Sequence, residues 1–173
     1  MATVTEERDQ LDDLWADDDE EVGTRSSKYL FFNLGDELYG INIMNITEII
    51  EMERITEIPD MPGYVKGVIN LRGKVIPVMD LRLRFNMSER EYDDRTCIVV
   101  TAVETAALGL IVDTVAEVHA LAAKDIEETP TFSGATRDHY VEGIGKIGDR
   151  VTVLIDARKI LQAKELQAIK SQI

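Results

Sequence analysis

The sequence predicts a mainly β protein made of two tandem copies of a small β-barrel. The first observation is a repeat: "YVKGVINLRGKVIPVMDLR", which begins at Tyr64, is matched 76 positions later by "YVEGIGKIGDRVTVLIDAR". The second is a repeat at a spacing of 69, in which "GINIMNITEI" at Gly40 matches "GLIVDTVAEV" at Gly109. The third is the series of short apolar runs separated by turn residues. These features favour paired small barrels, although one β-sandwich would also show many short strands.

Each copy is predicted to read strand, strand, short helix or bend, then strand, hairpin, strand. The predicted strand ranges are 28–34, 37–43, 65–71, 74–80, 96–103, 107–113, 141–147 and 150–156. Gly35-Asp36 and Arg72-Gly73 are expected to form tight turns, since glycine tolerates the positive φ that such turns need. Pro77 cannot donate a backbone hydrogen bond, so its strand is expected at a sheet edge or at a bulge there.

Two helices are predicted directly after strands. Asp80 and Asp156 each end a strand, and an aspartate can accept the free N–H groups of a first helical turn. The first helix, "LRLRF", is short, whereas the second is expected to run from Ala157 nearly to the C-terminus. The second copy is longer by about seven residues, which are assigned to a surface loop within 125–138 because that segment is rich in Pro, Gly, Ser and Thr.

These elements divide the chain into four predicted segments. They are an acidic tail at 1–27, a first β-barrel at 28–95, a second β-barrel at 96–156 and a C-terminal helix at 157–173. The tail holds ten acidic residues against two arginines, so it carries −8 of the total charge of −14. A segment with so much charge and so few apolar residues is expected to be disordered.

Composition excludes several classes of function. The net charge of −14 argues against nucleic-acid binding, which needs a basic surface. The single cysteine rules out an internal disulfide and indicates a reducing compartment. The longest apolar run is far below the roughly 20 residues that cross a bilayer, so no direct membrane insertion is expected. The N-terminus does not have the pattern of a signal peptide. We therefore expect a cytoplasmic protein.

No constellation of residues predicts catalysis, a metal site or a cofactor. Cys97 lies within an apolar strand, where cysteine usually acts as a small hydrophobic residue. His119 and His139 have no ligand-like spacing to Cys97 or to a group of carboxylates. An enzyme hypothesis would rest on these three residues alone.

Arg72 is the charged residue that the repeat singles out. It is expected at the tip of a hairpin between two apolar strands, where the second copy has Gly148. The fold therefore does not require arginine at this tip, and hairpin tips are common places for recognition residues. Glu48, which corresponds to Glu117 in the second copy, is placed to reach Arg72. The two side chains are expected either to form a partly exposed ion pair or to compete for one group of a binding partner.

The sequence resembles the CheW-type chemotaxis coupling proteins over about residues 28–165. The resemblance rests on "FFNLGDELYGINIMNITEI", "IPDMPGYVKGVINLRGKVIPVMDLR", "GLIVDTVAEV" and "YVEGIGKIGDRVTVLID", of which "GVINLRGKVIPVMDLR" is the most specific. The related chemotaxis histidine kinase also has phosphotransfer and ATP-binding domains, for which this chain has neither length nor motifs. The long acidic tail departs from the simplest members of the family.

This resemblance implies two five-stranded SH3-like barrels and a noncatalytic adaptor without cofactors. Its partners would be the cytoplasmic tip of methyl-accepting chemoreceptors and the regulatory domain of the chemotaxis histidine kinase. The groove between the barrels would take the receptor's helical hairpin, and strand edges and end loops would meet the kinase. Carried over residue by residue, the receptor-binding set is Ile46, Glu48, Ile49, Gly67, Arg72, Cys97, Val115 and Val118.

Other functions remain open from the sequence alone. A related adaptor for a receptor–kinase pathway unconnected with motility would have the same sequence features. A small-ligand-binding β-barrel is a weaker alternative, since the sequence has no clustered surface aromatic residues. A small hydrolase or transferase using Cys97 or a histidine is the enzymatic alternative.

Overall fold

The computed structural model describes residues 26–103, 106–127, 140–160 and 169. Its strands are β1 (Ser26–Leu34), β2 (Glu37–Asn42), β3 (Ile46–Glu51), β4 (Val65–Leu71), β5 (Lys74–Asp80), β6 (Cys97–Val103), β7 (Ala106–Val112), β8 (Thr114–Ala122), β9 (Ile126–Glu127), β10 (Val141–Ile147) and β11 (Arg150–Ile155). A short helix, α1 (Leu81–Arg84), follows β5, and 3-10 turns cover Ile43–Asn45, Ala123–Asp125 and Ala157–Lys159. The mainly β prediction is confirmed, and each predicted strand range agrees with a strand to within two residues.

The local turn and cap predictions are also confirmed. Gly35 and Gly73 have positive φ, at 62° and 85°. The Asp80 side chain accepts hydrogen bonds from the first backbone N–H groups of α1, and Asp156 caps the turn after β11 in the same way. Pro77 pairs with Val68 on β4, while pairing of β5 with β7 begins only at Val78. The expectation of an edge strand is wrong, because β5 lies between β7 and β4, but Pro77 occupies a part of β5 that has a partner strand on one side only.

Each of the two sheets combines strands from both sequence copies. The six-stranded sheet has the order β8-β1-β2-β11-β10-β9, and the five-stranded sheet has the order β3-β6-β7-β5-β4. The first two strands of each copy therefore join the sheet of the other copy, through the parallel pairs β2–β11 and β5–β7. The predicted boundary between residues 95 and 96 separates the two copies in sequence, but it does not separate the two sheets.

Each sheet closes on itself through a bent segment of chain of its own. Strands β8 and β9 are joined by a single 3-10 turn, yet they lie at opposite ends of the six-stranded order. Counted as one bent strand, they make this sheet a five-stranded barrel. In the other sheet, the chain leaving β3 forms a bridge from Thr56 to Val68 on β4, which is the opposite edge. The same device closes each barrel, as expected for a duplication.

Three apolar clusters form the core in the part of the chain that the structure describes. One lies within the five-stranded sheet, around Ile69, Ile76, Val78, Ile98, Val100 and Ile111. Another lies within the six-stranded sheet, around Tyr29, Phe31, Leu38, Leu121 and Leu154. The largest, here called the seam cluster, contains buried residues of both sheets, among them Leu30, Phe32, Ile41, Ile49, Met79, Val99, Leu110 and Ile155. It joins the two barrels into one packed molecule.

Parts of the predicted tail, loop and C-terminal helix lie outside the described residues. Of the tail at 1–27, only Ser26 and Ser27 are described, and they begin β1. Of the loop at 125–138, residues 125–127 form the end of a 3-10 turn and β9. The C-terminal segment begins with a 3-10 turn, and Ile169 is helical and buried in the seam cluster. No helix in the described part of the chain has the length and apolar character needed to cross a membrane.

Candidate partner-binding surface

The structure places the eight predicted receptor-binding residues in two groups. Five belong to the seam cluster or pack on it: Ile46, Ile49, Cys97, Val115 and Val118. The other three, Glu48, Gly67 and Arg72, belong to the five-stranded sheet and its closing edge. Strand β3 contributes to both groups because successive side chains of a strand point to opposite faces.

The seam group sits on two strands that the duplication relates to each other. Ile46 and Ile49 on β3 correspond to Val115 and Val118 on β8, at the spacing of 69. The two isoleucines and Cys97 are buried, whereas the two valines are half-buried. Val115 and Val118 are therefore accessible to a partner, whereas Ile46, Ile49 and Cys97 are almost inaccessible in this structure.

A β-bulge on β3 turns Glu48 away from the seam cluster. The register of β3 against β6 shifts between Ile46 and Glu48, which leaves Thr47 as the extra residue. Ile49 then faces the seam cluster, and Ile50 packs on the cluster inside the five-stranded barrel. Bulges commonly redirect one side chain in this way. The bulge places the Glu48 carboxylate beside the tip of the β4–β5 hairpin, where Arg72 lies.

Arg72 and Glu48 form a two-pronged ion pair, as the sequence predicts. Arg72 Nη1 donates to Glu48 Oε2 at 2.7 Å, and Nη2 donates to Oε1 at 3.0 Å. The Arg72 side chain is 59% exposed, whereas that of Glu48 is 10% exposed. The hydrogen bond to Glu48, with the nearby charges of Glu48 and Glu53, raises the pKa of Arg72. Glu48 thus holds the guanidinium in a defined orientation while its outer face stays open to a partner.

The backbone of Arg72 supports a role beyond turn formation. Arg72 and Gly73 have φ values of 52° and 85°, the two positive values of a type I′ hairpin turn. At the equivalent place the second copy has Gly148, with φ of 56°. Glycine adopts this conformation freely, and an arginine rarely does. The first copy therefore has arginine, which is less suited to a positive φ, at the position where the second copy has glycine.

Gly67 allows the five-stranded barrel to close. It lies at a register shift between β4 and β5 and has φ of 144°. A Cβ atom there would overlap the backbone carbonyl oxygen of Thr56 and lie 2.9 Å from Ile55 Cγ2. The backbone of Thr56 also exchanges two hydrogen bonds with Val68. Gly67 is thus required by the bridge that closes the barrel, and its place in the binding set stays a prediction.

The residues that the enzyme alternative would use can be located in part. Within 26–103, 106–127, 140–160 and 169, no three His, Cys, Asp or Glu side chains are placed to hold a metal ion. The Cys97 thiol is buried and donates to the Arg95 carbonyl at 3.3 Å. The His119 ring lies near that of Phe31, with centroids 6.4 Å apart. His139 lies outside the described residues.

Sequence reasoning missed a group of charged residues beside the seam cluster. Arg82 forms a buried ion pair with Asp113, and Arg90 and the Gly35 N–H also bind that carboxylate. The repeat does align Arg82 with Arg158, which is a signal for Arg82. The repeat gives no signal for Asp113, because the equivalent residue in the first copy is Met44.

The chain is similar to a family and to individual proteins over nearly all of the described sequence. A family model described as CheW-like domain matches residues 28–165. The chemotaxis protein CheW of Klebsiella aerogenes is 35% identical over 146 residues, which cover 84% of this chain and 88% of the relative. The chemotaxis protein CheW of Bacillus subtilis is 33% identical over 141 residues, with 82% and 90% covered.

A solved structure shares the fold. The scaffolding protein TtCheW from Thermoanaerobacter tengcongensis has a TM-score of 0.74 and 35% sequence identity. The match covers 80% of this chain and 94% of that chain. The arrangement of the two sheets is therefore that of a known scaffold.

Proposed function

Because this chain belongs to the family of CheW-like domains, we propose that it is a noncatalytic adaptor coupling chemoreceptors to the chemotaxis histidine kinase. The observation that carries the proposal is the family match to residues 28–165, which includes both sheets and the Arg72 hairpin. Its site of action would be the cytoplasmic tips of the receptors. In this adaptor role, no residue of the protein would form or break a covalent bond.

Two features of the surface support receptor binding. The half-buried Val115 and Val118 offer apolar contact on β8, which suits one apolar face of a receptor helix. Arg72 offers a planar guanidinium that Glu48 already holds in place. A held arginine loses less conformational freedom when a partner binds, so it suits an anchor role.

Two exposed valines are candidates for contact with the second partner. Val75 and Val151 are exposed at equivalent positions near the starts of β5 and β11. A single exposed valine is ordinary, but here both copies have an exposed valine at the same position of the repeat. We assign contacts with the kinase regulatory domain to these two places, one on each barrel.

The test is a pull-down with the full chain from its source cell. We expect both a chemoreceptor and the chemotaxis kinase to be recovered with the wild-type protein. The Arg72→Ala variant should recover the kinase and lose most of the receptor. Recovery of neither partner would overturn the adaptor proposal, and recovery of receptors from a different pathway would favour the related adaptor over the chemotaxis one.

Kinase stimulation gives a second test in purified components. The adaptor should raise phosphorylation by the kinase only when receptor-containing membranes are present. Stimulation that is unchanged without receptors would contradict a coupling function. A Val75→Glu, Val151→Glu double variant should lose kinase recovery while keeping receptor recovery.

A further inference from the structure

The short helix α1 joins the two barrels through a buried ion pair. It follows β5 of the five-stranded sheet, and Arg82 within it donates from Nε to Asp113 Oδ1 at 2.8 Å and from Nη2 to Oδ2 at 2.9 Å. The two side chains are 14% and 8% exposed. Asp113 lies between β7 and β8, where the chain passes from the five-stranded to the six-stranded sheet. The same carboxylate accepts the Gly35 N–H of the β1–β2 turn at 2.7 Å.

A second arginine of α1 makes a separate contact between the barrels. The Arg84 guanidinium lies over the rings of Tyr64 and Tyr140, at 5.2 and 5.4 Å from their centroids. These tyrosines are equivalent in the repeat and precede β4 and β10, which belong to different sheets. Arg84 also donates to the Ile160 carbonyl from Nε and Nη2, at 3.1 and 2.8 Å. Its charge and planar shape suit both kinds of contact.

Among the described residues, the second copy has no equivalent of this link. The counterpart of Arg82 is Arg158, whose side chain is 64% exposed and pairs with Asp156 only two residues away. The counterpart of Asp113 is Met44, which is 74% exposed. The counterpart of Arg84 is Ile160. One of the two equivalent passages between the sheets therefore has a buried ionic contact, and the other has an exposed methionine.

The two passages lead directly into the strands of the candidate surface. The passage at Ile43–Asn45 leads into β3, which carries Ile46 and Ile49, and the passage at Asp113 leads into β8, which carries Val115 and Val118. We propose that α1 is an inter-barrel clamp, in which Arg82 and Arg84 are positioning residues that set the placement of β8 relative to β3. A two-pronged buried ion pair is strongly directional, so it defines an orientation better than apolar packing does.

The clamp can be tested in the free protein, independently of any partner. Spin labels on Lys74→Cys and Arg150→Cys would occupy exposed, equivalent places at the starts of β5 and β11, one on each barrel. The distance distribution between them is measured by double electron–electron resonance. The chain without these cysteines is the labelling control, because its one cysteine, Cys97, is buried.

The clamp predicts different results for two equivalent arginines. Arg82→Met should broaden or shift the distance distribution, and Arg84→Met should act in the same direction. Arg158→Met is the matched control and should leave the distribution as in the wild type, because Arg158 pairs within its own turn. An unchanged distribution in folded Arg82→Met, or an equal change in Arg158→Met, would overturn the clamp. If Arg82→Met does not fold, Arg82→Lys decides, since it keeps the charge and loses the two-pronged geometry.

The consequence for binding rests on the proposed function and has its own measurement. Receptor affinity of Arg82→Met should fall by about tenfold, within the usual range of coupling between distant sites, while Arg158→Met should bind like the wild type. Broadened distances with unchanged receptor affinity would refute the link between barrel placement and receptor binding. If the wild-type protein binds no receptor, the proposed function fails, and the distance measurement still decides whether α1 clamps the barrels.

Discussion

Arg72 shows how one residue can be assigned a role from its backbone and its partner together. Its positive φ is a conformation that its counterpart Gly148 adopts without cost, so turn formation alone does not explain an arginine there. Its two-pronged pair with Glu48 leaves the outer face of the guanidinium exposed. Both observations favour recognition over structure as the reason for arginine at this tip.

Replacing Arg72 should therefore affect binding much more than folding. We expect Arg72→Ala to melt within a few degrees of the wild type, because the Arg72 end of its pair with Glu48 is 59% exposed and water screens the interaction there. Receptor affinity should fall by about tenfold or more, as for other arginine anchors. Arg72→Lys should restore it only in part, since lysine lacks the planar fork. Melting curves and receptor titrations on the same preparations measure both effects.

The neighbouring lysine of the same hairpin is the control for Arg72. Lys74→Ala removes an exposed positive charge two residues away, so it should reduce receptor affinity far less than Arg72→Ala does. Equal losses in both variants would indicate a general charge effect and would count against a specific anchor. A large drop in melting temperature for Arg72→Ala would instead make it a structural turn residue.

Asp113 makes stability depend on pH. Burial alone would raise its pKa, but hydrogen bonds from Arg82, the Gly35 N–H and Arg90 hold that pKa below the usual range for an aspartate. A carboxyl whose pKa is lower in the folded state stabilises the protein above its unfolded-state pKa, which is near 3.8. This stabilisation is lost as the pH falls through the folded-state pKa. Wild-type stability should thus decline as the pH falls below about 4.

The contribution of Asp113 can be separated by urea unfolding across that pH range. Asp113→Asn should be less stable than the wild type at pH 7, and the difference between the two proteins should shrink below about pH 4. Asp149→Asn, in the exposed β10–β11 turn, is the control and should track the wild type. A difference that stays constant with pH would contradict the assigned pKa direction.

At the level of the elements, the β4–β5 and β10–β11 hairpins have the same arrangement but differ in how tightly the barrel closes at their glycines. β4–β5 and β10–β11 each have a register shift at a glycine, Gly67 and Gly143, where the barrel closes. A Cβ atom on Gly67 would overlap the Thr56 carbonyl oxygen, and φ is 144°. A Cβ atom on Gly143 would lie 2.8 Å from the Glu127 carbonyl oxygen. The first closure is therefore the tighter one.

Alanine at these two glycines should destabilise the protein unequally. Gly67→Ala combines a backbone clash with an unfavourable φ, so we expect a loss of about 3 kcal/mol in the free energy of unfolding. Gly143→Ala meets a milder clash and should lose about 1 kcal/mol. Urea unfolding of both variants measures the difference. A smaller loss for Gly67→Ala than for Gly143→Ala would show that the first closure is not the more constrained.

Sequence patterns located some elements much better than others. Strands β4, β5 and β10 have the predicted ends, because apolar runs and turn glycines define hairpins locally. The sequence patterns predicted no strand range for β3 or β8, although these two strands carry most of the candidate surface. β8 is paired on one side by β1, and many of its residues are exposed. Its short apolar pattern is therefore weak, and its pairing depends on a distant strand.

At the scale of the whole molecule, the exchange of strands makes the two copies interdependent. The cluster inside the five-stranded sheet takes Ile69, Ile76 and Val78 from the first copy, and Ile98, Val100 and Ile111 from the second. The cluster inside the six-stranded sheet is likewise shared between copies. Neither copy can bury its own apolar residues alone.

We therefore expect that fragments divided between residues 95 and 96 do not fold separately. Residues 26–95 and 96–173 should each lack cooperative melting, because each would have incomplete sheets. Mixing the two should restore the circular dichroism spectrum and a single melting transition. The full chain cleaved at that point after folding is the control and should remain folded. Cooperative melting of residues 26–95 alone would contradict interdependence and favour a self-contained first barrel.

The sequence by itself determined the duplication, the β class, the hairpin turns, the aspartate caps and the Arg72–Glu48 pair. These follow from short-range patterns and from comparison of one copy with the other. Only the tertiary structure decided which strands share a sheet, how each barrel closes and which carboxylate Arg82 meets. Asp113 has Met44 as its counterpart, so no repeat could connect it with Arg82. Such pairings join residues far apart in the chain, and their free energy depends on burial and geometry that exist only after the sheets have packed.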